Sequence, residues 1–318
     1  MKNVSTAGIA AAIFASLTWS MNFVAPFVIG DYSIFDLAAC RFLLSGLIGI
    51  AILIASADQC RQLTLQDWFA AAGLAFIGYV GYFLTVMIAA VYAGPVIPPA
   101  FLGLVPVVLA IAGNYRGRSI SWLPLLIPLA LAATGLLLVN GSSIVQAEVQ
   151  REKSLVIGIA FAIAAVALWT WFGIANQSAL LKRPHMDARV WTALMMIGGS
   201  IQTLAFLPIG YGMSLFRAPE IGLGFGAINN LYLPAFMLAA VASIGGAWAW
   251  TIASQRLPVA LTGQLLMTEI VFATCFGLMV RHRWPTLAES IGIMLLVLGV
   301  VMAINAFHSQ RQDQSIVR

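Results

Sequence analysis

One acid stands alone in an apolar run long enough to cross a bilayer: Glu269, within LPVALTGQLLMTEIVFATCFGLMV (Leu257 to Val280). No Lys or Arg lies within a helical turn of it, and a carboxylate at membrane depth is costly unless it faces a cavity or a partner. Glu269 is therefore a candidate to contact a polar substrate or to carry a coupling proton. The competing reading is a structural carboxylate bonded to a Trp or Tyr of another helix. Thr262 lies two turns before it on the same face, and Gln264 and Thr268 form a second polar pair at i, i+4. The complementary charge is Arg41, a turn or two inside the second apolar run. It either snorkels to headgroups or turns inward to a carboxylate, that of Asp36 or one on a substrate.

Irregular backbone marks two further places. Trp19, Asn22 and Pro26 fall within two turns of each other. Pro26 has no N–H, so the Asn22 carbonyl loses its helical partner. A free carbonyl at membrane depth is tolerated only under cover of protein or a cavity. GPVIPPAFLGLVP (Gly94 to Pro106) holds Pro95, Pro98, Pro99 and Pro106, which predicts a bent or broken helix of the kind carriers set beside substrate. Plain helix packing accounts for either feature without a ligand. Tyr79, Tyr82, Trp169, Trp171, Trp248 and Trp250 lie within apolar runs, where aromatics pack or line a pocket for apolar or cationic guests. Trp68, Trp122 and Trp284 lie at run ends and read as interfacial anchors. Gly73, Gly78, Gly81, Gly245 and Gly246 permit close helix approach. The candidate substrate-binding set is Trp19, Asn22, Arg41, Tyr82, Pro106, Trp169 and Glu269, with Glu269 also the candidate proton-coupling group.

Other chemistries lack their residues. Cys40, Cys60 and Cys275 have no CxxC spacing and His185, His282 and His308 are isolated, so no disulfide framework and no metal site is expected. GxSxG, Walker A and HExxH motifs are missing, as is a pair of mid-span carboxylates. Neither enzyme activity nor a cofactor is expected. Charged rings and a filter loop, the marks of a channel, are not visible. The net charge is +5, but Lys and Arg sit singly or in pairs between apolar runs. That pattern serves membrane orientation and headgroup contact, not nucleic acid.

The elements that must hold these residues follow from composition. Of 318 residues 61% are hydrophobic and 8% charged, with a mean hydropathy of +0.97. A soluble fold cannot bury that much apolar surface, and barrel strands would alternate with period two. An all-α integral membrane protein is expected, with ten transmembrane helices near 8–29, 34–55, 68–90, 95–113, 121–139, 155–177, 189–209, 232–254, 258–280 and 286–307. The first run exceeds a signal-peptide core and reads as an uncleaved helix. A cytoplasmic N-terminus leaves ten Lys and Arg residues inside and five outside, so both termini are expected in the cytoplasm.

The chain also repeats itself. GIAAAIFASLTWS (Gly8 to Ser20) matches GIAFAIAAVALWT (Gly158 to Thr170) at seven of thirteen positions, with Trp19 over Trp169. AVYAGPV (Ala90 to Val96) overlies ASQRLPV (Ala253 to Val259), which sets Pro106 over Glu269, and TGLLLVN (Thr134 to Asn140) overlies LGVVMAI (Leu298 to Ile304). Two five-helix halves are expected, 1–140 and 155–307, joined by the polar linker 141–154 and followed by a tail, 308–318. An odd number of helices per half inverts the second. Inverted repeats are typical of alternating-access carriers, whose site lies between the halves.

Several segments resemble the EamA-type carriers of the drug/metabolite transporter superfamily. TWSMNFVAP (Thr18 to Pro26) is similar to that family's first-helix pattern, ACRFLLSG (Ala39 to Gly46) to its second-helix element, LGLVPVVLAI (Leu102 to Ile111) to its fourth helix and ATGLLLV (Ala133 to Val139) to the end of its fifth. The chain departs in lacking Gly-Glu after the fourth and ninth helices and in carrying Glu269 where the family has proline. The resemblance implies an inner-membrane carrier with cytoplasmic termini and a central cavity, exporting amino acids, related metabolites or toxic organics. On this reading the protein is a secondary transporter exporting small organic molecules by alternating access. Its candidate partners are a small-molecule substrate, the bilayer, protons and a second copy of the chain. A membrane sensor or assembly subunit on the same scaffold is the alternative; it calls for a large soluble domain, and about a dozen residues follow Ala306. A phosphate-sugar or nucleotide-sugar carrier needs several buried cations, and only Arg41 qualifies.

Overall fold

The computed structural model describes residues 5–93, 97–117, 120–145 and 152–316. Pro95, Gly94 and the basic residues Lys2, Arg118, Arg151 and Arg318 lie outside the described residues, as do residues 146–151 of the linker 141–154. All regular structure among the described residues is helical. Numbered along the chain, α1 is Thr6–Ser20. It is followed by nine helices long and apolar enough to cross a membrane: α2 (Ile34–Ala55), α3 (Leu65–Ala93), α4 (Pro98–Gly117), α5 (Trp122–Gly141), α6 (Leu155–Leu181), α7 (Ala188–Gly212), α8 (Phe225–Arg256), α9 (Val259–Val280) and α10 (Leu287–Ser309).

Local chemistry sets where helices start. Ser33 and Asp36 form a capping box before α2, and Thr64 and Asp67 do the same before α3. Thr286 and Glu289 repeat the exchange before α10. Each box satisfies two backbone N–H groups that no helical carbonyl can reach.

Five helices are irregular. The expected first helix, 8–29, is not continuous: α1 ends at Ser20, and the 3-10 turns Met21–Phe23 and Ala25–Phe27 follow. Its fifteen residues span only about 22 Å at 1.5 Å each. Unwinding begins before Pro26 demands it, because Asn22 Nδ2 takes the Trp19 carbonyl at 2.8 Å. α4 is broken at Gly103–Leu104, between Ile97–Leu102 and Val105–Gly117, where Pro106 cannot donate to Leu102. α9 is broken at Leu266, between Val259–Leu265 and Met267–Val280. α3 and α8 widen into π-helix at Phe76–Val80 and Leu238–Gly246.

The principal packing pairs are α5 with α10, α2 with α7, α4 with α9, α3 with α6, and α1 with α8. Each joins a helix of the first half to one of the second. Small residues let the backbones close, since lipid gives helices no hydrophobic drive toward one another. A Cβ on Gly135 would lie 2.7 Å from the Gly292 carbonyl, and one on Gly299 would lie 3.0 Å from that of Pro128. Of the glycines singled out in the sequence, Gly78 abuts Phe172 and Gly246 abuts Thr18 and Trp19, whereas Gly73 faces open space. Two hydrophobic clusters result, one around Trp19, Trp169, Trp191 and Trp250, the other around Leu125, Leu261 and Leu296.

Candidate functional site

The second half of α1 meets the π-helical part of α8 through side chain to backbone contacts. Trp19 Nε1 donates to the Ala242 carbonyl at 3.0 Å, a carbonyl within the π segment, where helix hydrogen bonding is rearranged. Next to it Ser243 Oγ accepts from Arg41 Nε at 2.8 Å. Arg41 Nη1 donates to Asn22 Oδ1 at 2.5 Å. Asn22 thus turns one end of its amide to the unwound backbone and the other to the guanidinium. Arg41 does not reach toward headgroups: it crosses inward from α2 to α1 and α8.

Asp36 is not its partner. The Asp36 carboxylate accepts from the backbone N–H of Ser33, Arg217 and Ala218, which fixes the start of α2 to the segment after α7. Among the described residues no carboxylate pairs with Arg41; the ion pairs are Arg183–Asp67, Arg189–Asp187 and Arg283–Glu289. Its two neutral acceptors take Nε and Nη1, and no described residue takes Nη2.

Trp19, Trp169 and Trp250 pack mutually, with ring centroids 5.3, 5.5 and 5.4 Å apart. Tyr82 approaches Trp169 at 6.5 Å, and Phe172 bridges Trp169 to Tyr79 at 5.4 Å each way. Edge-on rings at such spacings stabilise one another beyond their area alone. Trp171 and Trp248, on the same helices, point away and are exposed, and Trp68, Trp122 and Trp284 at span ends are exposed as interfacial anchors are.

Glu269 lies on α9 just past the break at Leu266. No described side chain or backbone group donates to it. Tyr82 lies within electrostatic reach of both Glu269 and Arg41, and Tyr79 within reach of Arg41. Asn22, Arg41, Tyr82 and Glu269 are each half-buried. Trp19, Pro106 and Trp169 are buried. The structure thus brings Trp19, Asn22, Arg41, Tyr82 and Trp169 into one network and sets Glu269 beside it. Pro106 lies at the break of α4.

Sequence reasoning missed Ser243 and did not choose Trp250. Ser243 is one hydroxyl in LAAVASIGG, and only the π-helical phase turns it toward Arg41. A separate cleft of about 280 Å³ lies among Asp31, Tyr32 and Gly222 in the loops and Asn230 near the start of α8. It contains none of the candidate residues.

No family model matches the chain. A curated relative, the inner membrane protein YtfF of Escherichia coli strain K12, is 27% identical over 319 residues, covering 97% of this chain and 98% of its own. A protein of known crystal structure superposes with a TM-score of 0.71 at 19% identity, covering 95% of this chain and 99% of that one. That likeness is one of fold. The nine apolar helices and the full-length similarity to an inner membrane protein agree that this chain is a membrane protein.

Proposed function

We propose that the protein is a secondary transporter of the bacterial-type inner membrane, related to the EamA-type carriers, that moves small organic metabolites by alternating access between two inverted five-helix halves. The observation that carries this reading is a cation and an acid, Arg41 and Glu269, that have no ion-pair partner among the described residues and both lie within electrostatic reach of Tyr82. Buried charges without partners are retained in membranes where a ligand or proton supplies the partner. The remaining N–H groups of Arg41 suit a carboxylate in the two-pronged geometry guanidinium prefers. Glu269 suits an ammonium group or a proton. The two together fit zwitterionic molecules of the amino-acid type, with the tryptophan cluster and Tyr82 between the charged ends.

Equivalences between the halves support the inverted layout. Laying Ala90 on Ala253 puts Phe76–Val80 over Ala239–Ser243, so both π segments coincide, and it puts Gly103 over Leu266, so both helix breaks coincide. Gly8 lies against Arg256 and Leu257, while Gly158, its equivalent, lies against Ala93, the equivalent of Arg256. With Thr134 on Leu298, the contacts Gly135–Gly292 and Pro128–Gly299 exchange with each other. Trp19 and Trp169, equivalent residues, touch, as residues beside a two-fold axis must.

The test is flux in proteoliposomes across a metabolite panel, with and without a pH gradient, for wild type, Arg41→Gln and Glu269→Gln. Carboxylate-bearing compounds are expected to lose transport in Arg41→Gln, and the pH dependence is expected to vanish in Glu269→Gln. Unchanged flux in both variants would remove the site. Absence of flux for every compound in wild type would move the reading to a membrane sensor.

A further inference from the structure

The contact between α4 and α9 breaks the equivalence that the other pairs keep. Below the two breaks the helices are zipped. A Cβ on Gly263 would lie 2.7 Å from the Ala110 nitrogen, and one on Gly113 would lie 2.8 Å from the Ala260 nitrogen. Every residue from Val259 to Met267 is buried. Above the breaks the same helices part: Ile97–Leu102 makes no comparable packing with Met267–Val280. Ala100 and Ala273 are the positions equivalent to Gly263 and Ala110, and no residue from Thr268 to Gly277 is buried. One pair of equivalent helices is therefore closed at one end and open at the other.

Gln264 sits inside the closed half. It is fully buried, and among the described residues neither its Nε2 nor its Oε1 has a hydrogen-bond partner. The nearby hydroxyls do not serve it, since Thr262 and Thr268 donate back to the carbonyls of Val259 and Leu265. An unpartnered buried amide favours any conformation that returns it to water or to a ligand. Opening the zipped half is such a conformation. Nothing else in this stretch gains so much from opening, because its other side chains between Val259 and Leu265 are apolar or bonded.

We propose that Gln264 is the release element of an inner gate formed by α4 and α9, and that its carboxamide lines the inward-facing vestibule once the gate opens. The proposal rests on the alternating-access reading above. In the orientation with both termini in the cytoplasm, the zipped half is the cytoplasmic one, so the state described here is open to the outside. The penalty on Gln264 keeps that state from becoming a trap. Once the gate parts, the amide offers one donor and one acceptor face to whatever enters from within.

Two variants test this. Gln264→Cys, with the native cysteines changed to Ser, is treated with a membrane-impermeant maleimide in inside-out and right-side-out vesicles. Labelling is expected only in inside-out vesicles. Gln264→Leu is expected to raise the thermal midpoint in detergent and to slow turnover by about tenfold, with the KM for externally presented substrate unchanged. Labelling from neither side, or only from outside, overturns the proposal even if the Leu variant does not fold. So does a Leu variant that folds with wild-type turnover. Labelling and stabilisation need no substrate: if both occur while wild type moves no compound, the gate stands and the carrier assignment falls.

Discussion

Arg41 is held rather than neutralised. Asn22 and Ser243 each accept one of its N–H groups, and hydrogen bonds to a charged group contribute about 1.5–3 kcal/mol each. These acceptors fix the guanidinium plane but leave the charge for something else. Asn22→Asp supplies the missing carboxylate within the protein, on the same atom positions. The expected outcome is a higher thermal midpoint together with at least about a tenfold loss in transport of carboxylate-bearing substrates, as the internal acid competes for the site. Full transport in a stabilised Asn22→Asp protein would show that Arg41 binds no substrate. Arg41→Lys is expected not to restore transport, because a point charge cannot reproduce the planar fork. At this scale the sequence was partly legible. Arg41, Asn22, Trp19 and Glu269 stood out because polar or large groups are costly among apolar neighbours. Ser243 did not, because a lone serine is cheap in any helix, and only the π-helical phase gives it a task.

Two helix pairs differ in how they meet. α5 and α10 meet along glycines whose contacts exchange under the repeat, Gly135 on Gly292 and Pro128 on Gly299. α4 and α9 meet at one end only. Gly292→Val would drive a side chain into Gly135 and Val139, an overpacking that costs typically about 1–3 kcal/mol. It is expected to lower the thermal midpoint in detergent, whereas Gly277→Val, with no atom within 4 Å of its would-be Cβ, is expected to leave it unchanged. Equal midpoints for the two variants would mean that the seam is not close-packed. Composition and periodicity sufficed for nine of the ten expected spans and for the break in α4 expected from Pro98, Pro99 and Pro106 together. They could not distinguish seam glycines from idle ones: Gly73 drew notice and faces open space, while Gly135 and Gly292 did not. A glycine's role is set by its partner helix, which a single sequence does not name.

At the scale of the whole molecule the open count is nine crossings or ten. The first helix fails as a regular span because its α-helical part is short. Yet its two ends reach opposite ends of the bundle. Gly8 abuts Arg256 and Leu257, and Gln177 donates to the Leu257 carbonyl at 2.5 Å, tying this end to the foot of α6. Nearby Arg183, two residues past α6, pairs with Asp67 at the start of α3. At the far side Phe27 lies under Arg281 at 5.8 Å, and Tyr32 donates to the Gly222 carbonyl at 2.7 Å. A chain that starts at one end and arrives at the other is expected to cross, with 3-10 turns completing what the α-helix leaves short. The turns stretch the backbone, since each 3-10 residue rises about 2.0 Å against 1.5 Å. Native Cys60, after α2, then lies on the same side as the N-terminus if α1 crosses and on the opposite side if it does not. Thr6→Cys, in a Cys60→Ser background, and the native Cys60 protein are both treated with an impermeant maleimide in vesicles of each orientation. Ten crossings require the two thiols to react from the same face, and the excess of Lys and Arg at that end requires the face to be cytoplasmic. Reaction from opposite faces would leave nine crossings, unequal halves and no inverted repeat for a carrier to rock.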